Sequence, residues 1–206
     1  MSWRPSDGSG RNTCCIRRSA DVSPALRLCL TLMHIETEAK FEVTRGDLEK
    51  VRERLIQLGA RPLSGPHKEE NELYDFSDGR LARSGCALRL RSYAGESLLT
   101  FKGAVESDPL LKKREEIETR VERGEALRNI LGRLGLAVSF GYRKTREILQ
   151  IDCGGQPLQV CLDETPVGCF VEIEGDAGGI KQLAARFGWT EFITKSYVDL
   201  YRERRR

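Results

Sequence analysis

A chain of 206 residues, 39% hydrophobic and 32% charged, is long enough to bury a core as one domain or two small ones. Its 34 basic and 31 acidic residues leave a net charge of only +3, which argues against a nucleic-acid coat protein and shifts attention to where the charges sit. Seven cysteines with no CxxC, beside two histidines (His34, His67), argue against a zinc site and a secreted disulfide scaffold, and read as reduced thiols of a cytoplasmic protein.

Residues 1–32 are polar and turn-rich apart from the run ALRLCLTLM, which Arg27 interrupts. That run is too short for a membrane span and poor as a signal core, and Arg17-Arg18 is a weak twin-arginine signal. The expectation is a disordered extension, or a start placed too early, ahead of one domain over 33–206 that opens at Met33.

The first ordered segment, IETEAKFEV (35–43), alternates strictly: Glu36, Glu38, Lys40 and Glu42 on one face, Ile35, Thr37, Ala39, Phe41 and Val43 on the other. LEKVRERLIQLGARP then shows apolar residues at helical spacing and a glycine stop at Gly59. HKEENELYDF (67–76) reads as a strand running into the turn Ser77-Asp78-Gly79. CALRLRSY (86–93) and SLLTFKG (97–103) flank Ala94-Gly95-Glu96 as a hairpin.

LKKREEIETRV (111–121) alternates strongly, and ALRNILGRLGLAV is a second amphipathic helix stopped at Gly135. VSFGYRKTREILQI (138–151), LQVCLDE (158–164) and CFVEIEG (169–175) bring the strands to about eight; IKQLAARFGWTE is a third helix, stopped at Gly188. Many strands and three helices predict an α+β domain on one mostly antiparallel sheet, inclined to close into a barrel. Cys86, Cys153, Cys161 and Cys169 sit in apolar strand contexts and are expected to be packing residues.

The charged parity repeats from strand to strand: Glu36, Glu38 and Lys40; Arg89 and Arg91; Thr100 and Lys102; Arg114, Glu116 and Glu118; Lys144 and Arg146; Asp163; Glu172 and Glu174. Side chains two apart on a strand stand roughly 6 to 7 Å apart, so like-charged pairs need counter-charges or ligands. Paired carboxylates suit a hard divalent cation such as Mg²⁺ or Mn²⁺, and paired arginines and lysines suit phosphate oxygens. One substrate satisfies both: a metal-bound polyphosphate. Alternatively these are solvated outer faces laced by ion pairs. The three amphipathic helices decide the expectation, because they need the apolar face of the sheet and leave the charged face to line a lumen.

Together these residues resemble the CYTH family of triphosphate tunnel enzymes. The opening ExExK is Glu36, Glu38 and Lys40; LRLR, TFKG, KKREEIE, KTR, LDE and FVEIEG follow in the family's order; Lys195, Ser196 and Tyr197 in TKSYVDLY are similar to its closing segment. The resemblance spans about 34–202 and implies an eight-stranded antiparallel closed β-barrel, a triphosphate tunnel with flanking helices. It implies phosphate contacts from Lys40, Arg89, Arg91, Lys102, Arg114, Lys144, Arg146 and Lys195. It gives Mg²⁺ or Mn²⁺ to Glu36, Glu38, Glu172 and Glu174, a catalytic role to Lys40, and catalytic or supporting roles to Glu116, Glu118 and Asp163, which complete the metal shell, orient basic residues or position water.

The closest branch by resemblance is class IV adenylate cyclase, converting ATP to cyclic AMP and pyrophosphate. The alternative is a triphosphatase acting on inorganic triphosphate, thiamine triphosphate or a nucleoside triphosphate. A rival from another class is a non-catalytic binder of RNA or polyphosphate. Only 7% of the residues are aromatic and the strands carry carboxylate pairs, so nucleic acid is disfavoured. No membrane partner is expected, and a homodimer is left open.

Overall fold

The computed structural model describes residues 34–106, 108 and 110–204; the expected extension, its start at Met33 and Cys14, Cys15 and Cys29 lie outside them. Eight strands close into a barrel in which every adjacent pair is antiparallel. In chain order they are β1 (His34–Val43), β2 (Arg61–Phe76), β3 (Ala87–Tyr93), β4 (Glu96–Lys102), β5 (Lys112–Val121), β6 (Leu136–Cys153), β7 (Gln156–Thr165) and β8 (Gly168–Glu174). Around the barrel the order is β1-β5-β4-β3-β2-β6-β7-β8, so the first strand closes the ring between β5 and β8. Closure leaves no sheet edge and gives every strand an inner and an outer face.

The three expected helices form and take the outer face. They are α1 (Arg45–Gln57), α3 (Gly124–Arg133) and α4 (Ala177–Phe187), with a short α2 (Arg80–Arg83) and a C-terminal α5 (Tyr197–Arg204) in addition. Thr44 caps α1 by accepting from the Asp47 amide, and Asp176 caps α4 by accepting from the Gly178 and Gly179 amides at 2.8 and 3.0 Å. Gly188 ends α4 at φ +68°, the left-handed conformation that glycine adopts without a Cβ penalty. Val51 and Leu55 of α1 and Ile180, Leu183 and Ala184 of α4 pack on Phe41, Leu149, Leu158, Val160, Val171 and Ile173, the apolar parity of β1, β6, β7 and β8. Leu131 of α3 packs with Tyr74, Leu90 and Leu136 on the outside of β2, β3 and β6.

The start of β2 and the presence of α5 depart most from the sequence expectation. β2 begins at Arg61, in the tail of the first helical pattern, because the chain reverses at Gly59 and pairs at once with the far end of β6. Its ladder is interrupted between Pro62 and Ser64 and between Ser64 and His67, where Gly65 and Pro66 interrupt regular alternation. α5 has no long apolar period in sequence, yet Tyr197, Leu200 and Tyr201 are buried against Tyr142 and Phe170. Those two aromatics share the inward parity of β6 and β8, so α5 covers one end of the barrel. The β3–β4 hairpin turns on Ala94 (φ +47°) and Gly95 (φ +83°), the pair of positive φ values that suits the twist of a two-residue hairpin.

Candidate active site

With the helices outside, the charged parity points inward. Glu36, Glu38, Lys40, Lys102, Lys144, Arg146 and Glu172 are all buried, and they line a cavity of about 490 Å³ together with Arg89, Arg91, Arg114, Glu116, Glu118 and Glu174. Among the described residues no helix is long and apolar enough to cross a membrane.

The charges inside are matched in pairs. Lys102 Nζ lies 2.8 Å from Glu36 and 2.7 Å from Glu116, and Arg114 Nε lies 3.3 Å from Glu36. Lys40 Nζ lies 3.1 Å from Glu172 and 4.1 Å from the centre of the Tyr197 ring. Arg146 also pairs with Glu172. Burial would lower the Lys40 pKa, but Glu172 and Glu38 outweigh it and hold the ammonium above its usual range. Burial would raise Glu172, and the charges of Lys40 and Arg146 instead hold it well below the carboxylate range. On β4, Thr100 donates to Glu118 at 2.8 Å.

Asp163 has no exposed surface. It accepts from Lys144 at 2.9 Å, from Arg146 at 2.7 and 2.6 Å, and from the Tyr197 phenol at 2.6 Å. Burial pushes its pKa up, and the adjoining Arg146 and Lys144 charges more than reverse this. The Tyr197 phenol, buried beside that carboxylate, is held well above its usual range and stays neutral. Asp163 is therefore an anchor behind the cavity wall that fixes two cations and the first residue of α5.

The carboxylates of Glu36, Glu38 and Glu174 can bring one oxygen each within 4.8 Å of one another. Such an all-oxygen set fits a hard divalent ion. Gln159 donates to Glu174 at 2.8 Å and orients it. Burial raises the Glu174 pKa to about 7; Arg146 opposes that shift, and the neighbouring Glu36, Glu172 and Glu38 add to it. Glu172, expected beside Glu174 as a ligand, is turned to Lys40 and Arg146. Lys195 is not brought to the cavity: its ammonium is exposed and paired with Glu203 at 2.8 Å, and only its carbonyl reaches inward, accepting from Lys40 at 3.2 Å.

Lumen residues that the sequence reading left out are Lys112, Glu69 and Asn71. Lys112 is buried 3.4 Å from Glu38 and lines the cavity; burial, with Lys40 adding to it, lowers its pKa to about 8. It shares the parity of Arg114, the signal that could have found it. Glu69 is 1% exposed, 3.4 Å from Arg91 and 3.7 Å from Lys144. Burial would raise it, and Lys144, Arg91, Arg146 and Arg89 bring it down to about 2. Asn71, laddered between Arg91 and Tyr142, is equally buried, with neither amide atom hydrogen-bonded among the described residues. Cys86, expected to pack, is half-buried and lines the cavity, whereas Cys153, Cys161 and Cys169 are buried.

A family model described as the CYTH domain matches residues 34–192. The chain belongs to the CYTH family. The CYTH chain is 30% identical over 179 residues to a Methanocaldococcus jannaschii protein provisionally named an adenylate cyclase, covering 81% of this chain and 98% of the other. Among solved structures, a Vibrio parahaemolyticus protein with the same provisional name superposes at TM-score 0.68 with 22% identity, over 83% of this chain and 99% of that one. A Hippeastrum adenylyl cyclase candidate, described as having a dominant triphosphatase activity, superposes at 0.65 with 20% identity, over 83% and 96%. These two likenesses establish the shared barrel.

Proposed function

We propose that this CYTH domain is a divalent-metal-dependent enzyme that processes a triphosphate inside the barrel, with cyclisation of ATP to cyclic AMP and pyrophosphate as its first candidate reaction. The observation that supports this most is the lumen itself: a compact carboxylate trio, Glu36, Glu38 and Glu174, faces a cavity that also holds at least seven cationic side chains. Glu36, Glu38 and Glu174 would hold Mg²⁺ or Mn²⁺, which when bound offsets phosphate charge and polarises phosphate oxygens.

The chain's own residues do the positioning. Arg146 and Lys144 are fixed by Asp163 from behind, so their remaining donors are pre-aimed at phosphate oxygens. Arg89 and Arg91 extend that surface along β3, and Lys40 and Lys102 close it from β1 and β4. Lys40, Lys102, Lys144, Arg146 and Arg91 are each held by a carboxylate before substrate arrives, and Arg89 donates to the Thr100 hydroxyl, so little rearrangement is needed when charge develops on phosphorus. In a cyclase the ribose 3′-oxygen attacks the α-phosphorus and pyrophosphate leaves; in a triphosphatase water attacks the terminal phosphorus. The cradle serves both. The activity described for the Hippeastrum protein makes hydrolysis the second reading.

The test is one incubation series with Mg²⁺ or Mn²⁺ on ATP, thiamine triphosphate and inorganic triphosphate, with products resolved by phosphorus NMR. Cyclic AMP with pyrophosphate supports the first reading, and orthophosphate with a diphosphate product supports the second. No turnover of any of the three overturns both and favours a binding module.

A further inference from the structure

The seam that closes the barrel is shorter than the strands that form it. The ladder between β1 and β5 starts with His34 opposite Glu116, whereas the ladder between β4 and β5 runs on to Ser97 opposite Val121. Past the seam, Ile117–Val121 therefore pairs on one side alone among the described residues. Gly103 donates its N–H to the Glu115 carbonyl at 2.9 Å on the β4 side, so the odd-numbered residues of β5 turn their backbone groups to β4. Glu118 and Arg120 turn theirs to the other side. Glu118, Thr119 and Arg120 are exposed, as is Ile117 at 36%, and the chain leaves the strand at Glu122. Ile35, 54% exposed, adjoins Ile117 on the outer face.

We propose that Ile117–Val121 is the docking edge for a second copy of this chain, paired antiparallel about a two-fold axis at Thr119. The segment IETRV is complementary to itself in that register. Thr119 faces Thr119 of the partner subunit, Glu118 faces Arg120 of the partner subunit, and Ile117 faces Val121 of the partner subunit; symmetry supplies the reciprocal pairs. Glu118 and Arg120 carry the N–H and C=O groups of the edge, and this register makes each of them half of a hydrogen-bonded pair across it. Opposite charges directly across an antiparallel ladder are favourable, and like charges are not. The neighbouring registers centre the axis on Glu118 or on Arg120 and set like charges face to face, so the charges select the axis at Thr119. Within one chain Arg120 pairs with Glu96 at 3.4 Å, both exposed, a screened contact that Arg120 can exchange. The pairing also reaches the lumen. Glu118 lines the cavity and Arg120 shares its inward parity, so each copy sets a cation beside a carboxylate of the other's lumen.

The test is sedimentation velocity on the full chain from about 1 to 300 µM, the range that resolves the micromolar Kd of a short edge. The unmodified protein is expected to pass from monomer to dimer across it. Arg120→Pro removes an edge N–H and spares the β4 ladder, because the Arg120 backbone turns away from β4. Arg120→Glu keeps that N–H and sets two acids face to face in each cross-strand pair. Each variant is expected to raise the dimer Kd at least about tenfold, and adding Glu118→Arg to Arg120→Glu, which exchanges the two charges, to bring it back within about threefold. That recovery separates edge pairing from simple misfolding of a variant. A monomer at every concentration overturns the second copy as occupant and leaves the edge to another strand. A dimer that neither single variant weakens, or a double variant that does not recover, overturns the pairing at this edge.

Discussion

The ammonium of Lys102 sits across both carboxylate oxygens of Glu36, at 2.8 and 3.0 Å. Glu36 thus belongs to two sets at once, the carboxylate trio with Glu38 and Glu174 and the ion-pair belt that holds the basic residues. Its removal should strike both. Glu36→Ala and Glu38→Ala are each expected to reduce turnover at least about 100-fold at saturating Mg²⁺ and Mn²⁺, the scale of losing a directly positioned catalytic group. Steady-state assays on folded variants check this, and near-normal rates in both would sink the assignment.

Asp163 and Lys195 should behave oppositely, although both fall within the family resemblance. Asp163 ties Lys144, Arg146 and Tyr197 with no exposure to water. Replacing it with alanine strands buried cations, and a stability loss of about 3–5 kcal/mol is expected in urea denaturation. Lys195 is spent on Glu203 at the surface, so Lys195→Ala should leave stability within about 1 kcal/mol and turnover within about twofold.

Glu69 gives a pH signature. Its pKa falls from the ordinary 4.5 to about 2 in the fold. A depressed carboxylate contributes stability that is fully present above its unfolded pKa and is lost as pH falls through the folded value. Glu69→Gln should therefore cost about 3 kcal/mol at pH 7, with the gap to the unmodified protein narrowing from pH 4.5 down to 2. Denaturant midpoints across that window measure it; a gap independent of pH would refute the ionic role.

Glu174 carries the reverse sign. With its folded pKa raised to about 7, the metal-free protein should lose stability as pH rises from 4.5 to 7. A divalent ion held by the trio must displace that proton, so Mg²⁺ affinity should climb with pH up to about 7 and level off above it. Calorimetric Mg²⁺ titrations at pH 6 and pH 8 test this, and Glu174→Gln should abolish the dependence as well as weaken binding.

Much of this was legible in sequence because side-chain direction on a strand follows parity alone. Glu36, Glu38 and Lys40 had to share a face, and three amphipathic helices had to take the other. Register was not legible, and it decides which charge meets which. Glu172 and Glu174 look equivalent in FVEIEG, but β1 sets Lys40 opposite Glu172 and Glu38 opposite Glu174, so only the latter joins the trio. Lys195 misled for a related reason: it is two residues from Tyr197 in sequence, yet α5 begins at Tyr197 and leaves Lys195 on the surface side.

The position of β1 between β5 and β8 has a consequence for how the chain reaches this state. Among the described strands β1 is the first made, yet it cannot acquire both neighbours until β8, the last of them, has been synthesised. Through most of synthesis it offers an unpaired edge alternating with apolar side chains, the kind of segment that invites wrong pairing between nascent chains. Acids and bases along Glu36, Glu38 and Lys40 interrupt that edge at every second residue. The charges that later line the lumen thus also act as gatekeepers against aggregation while the ring is still open.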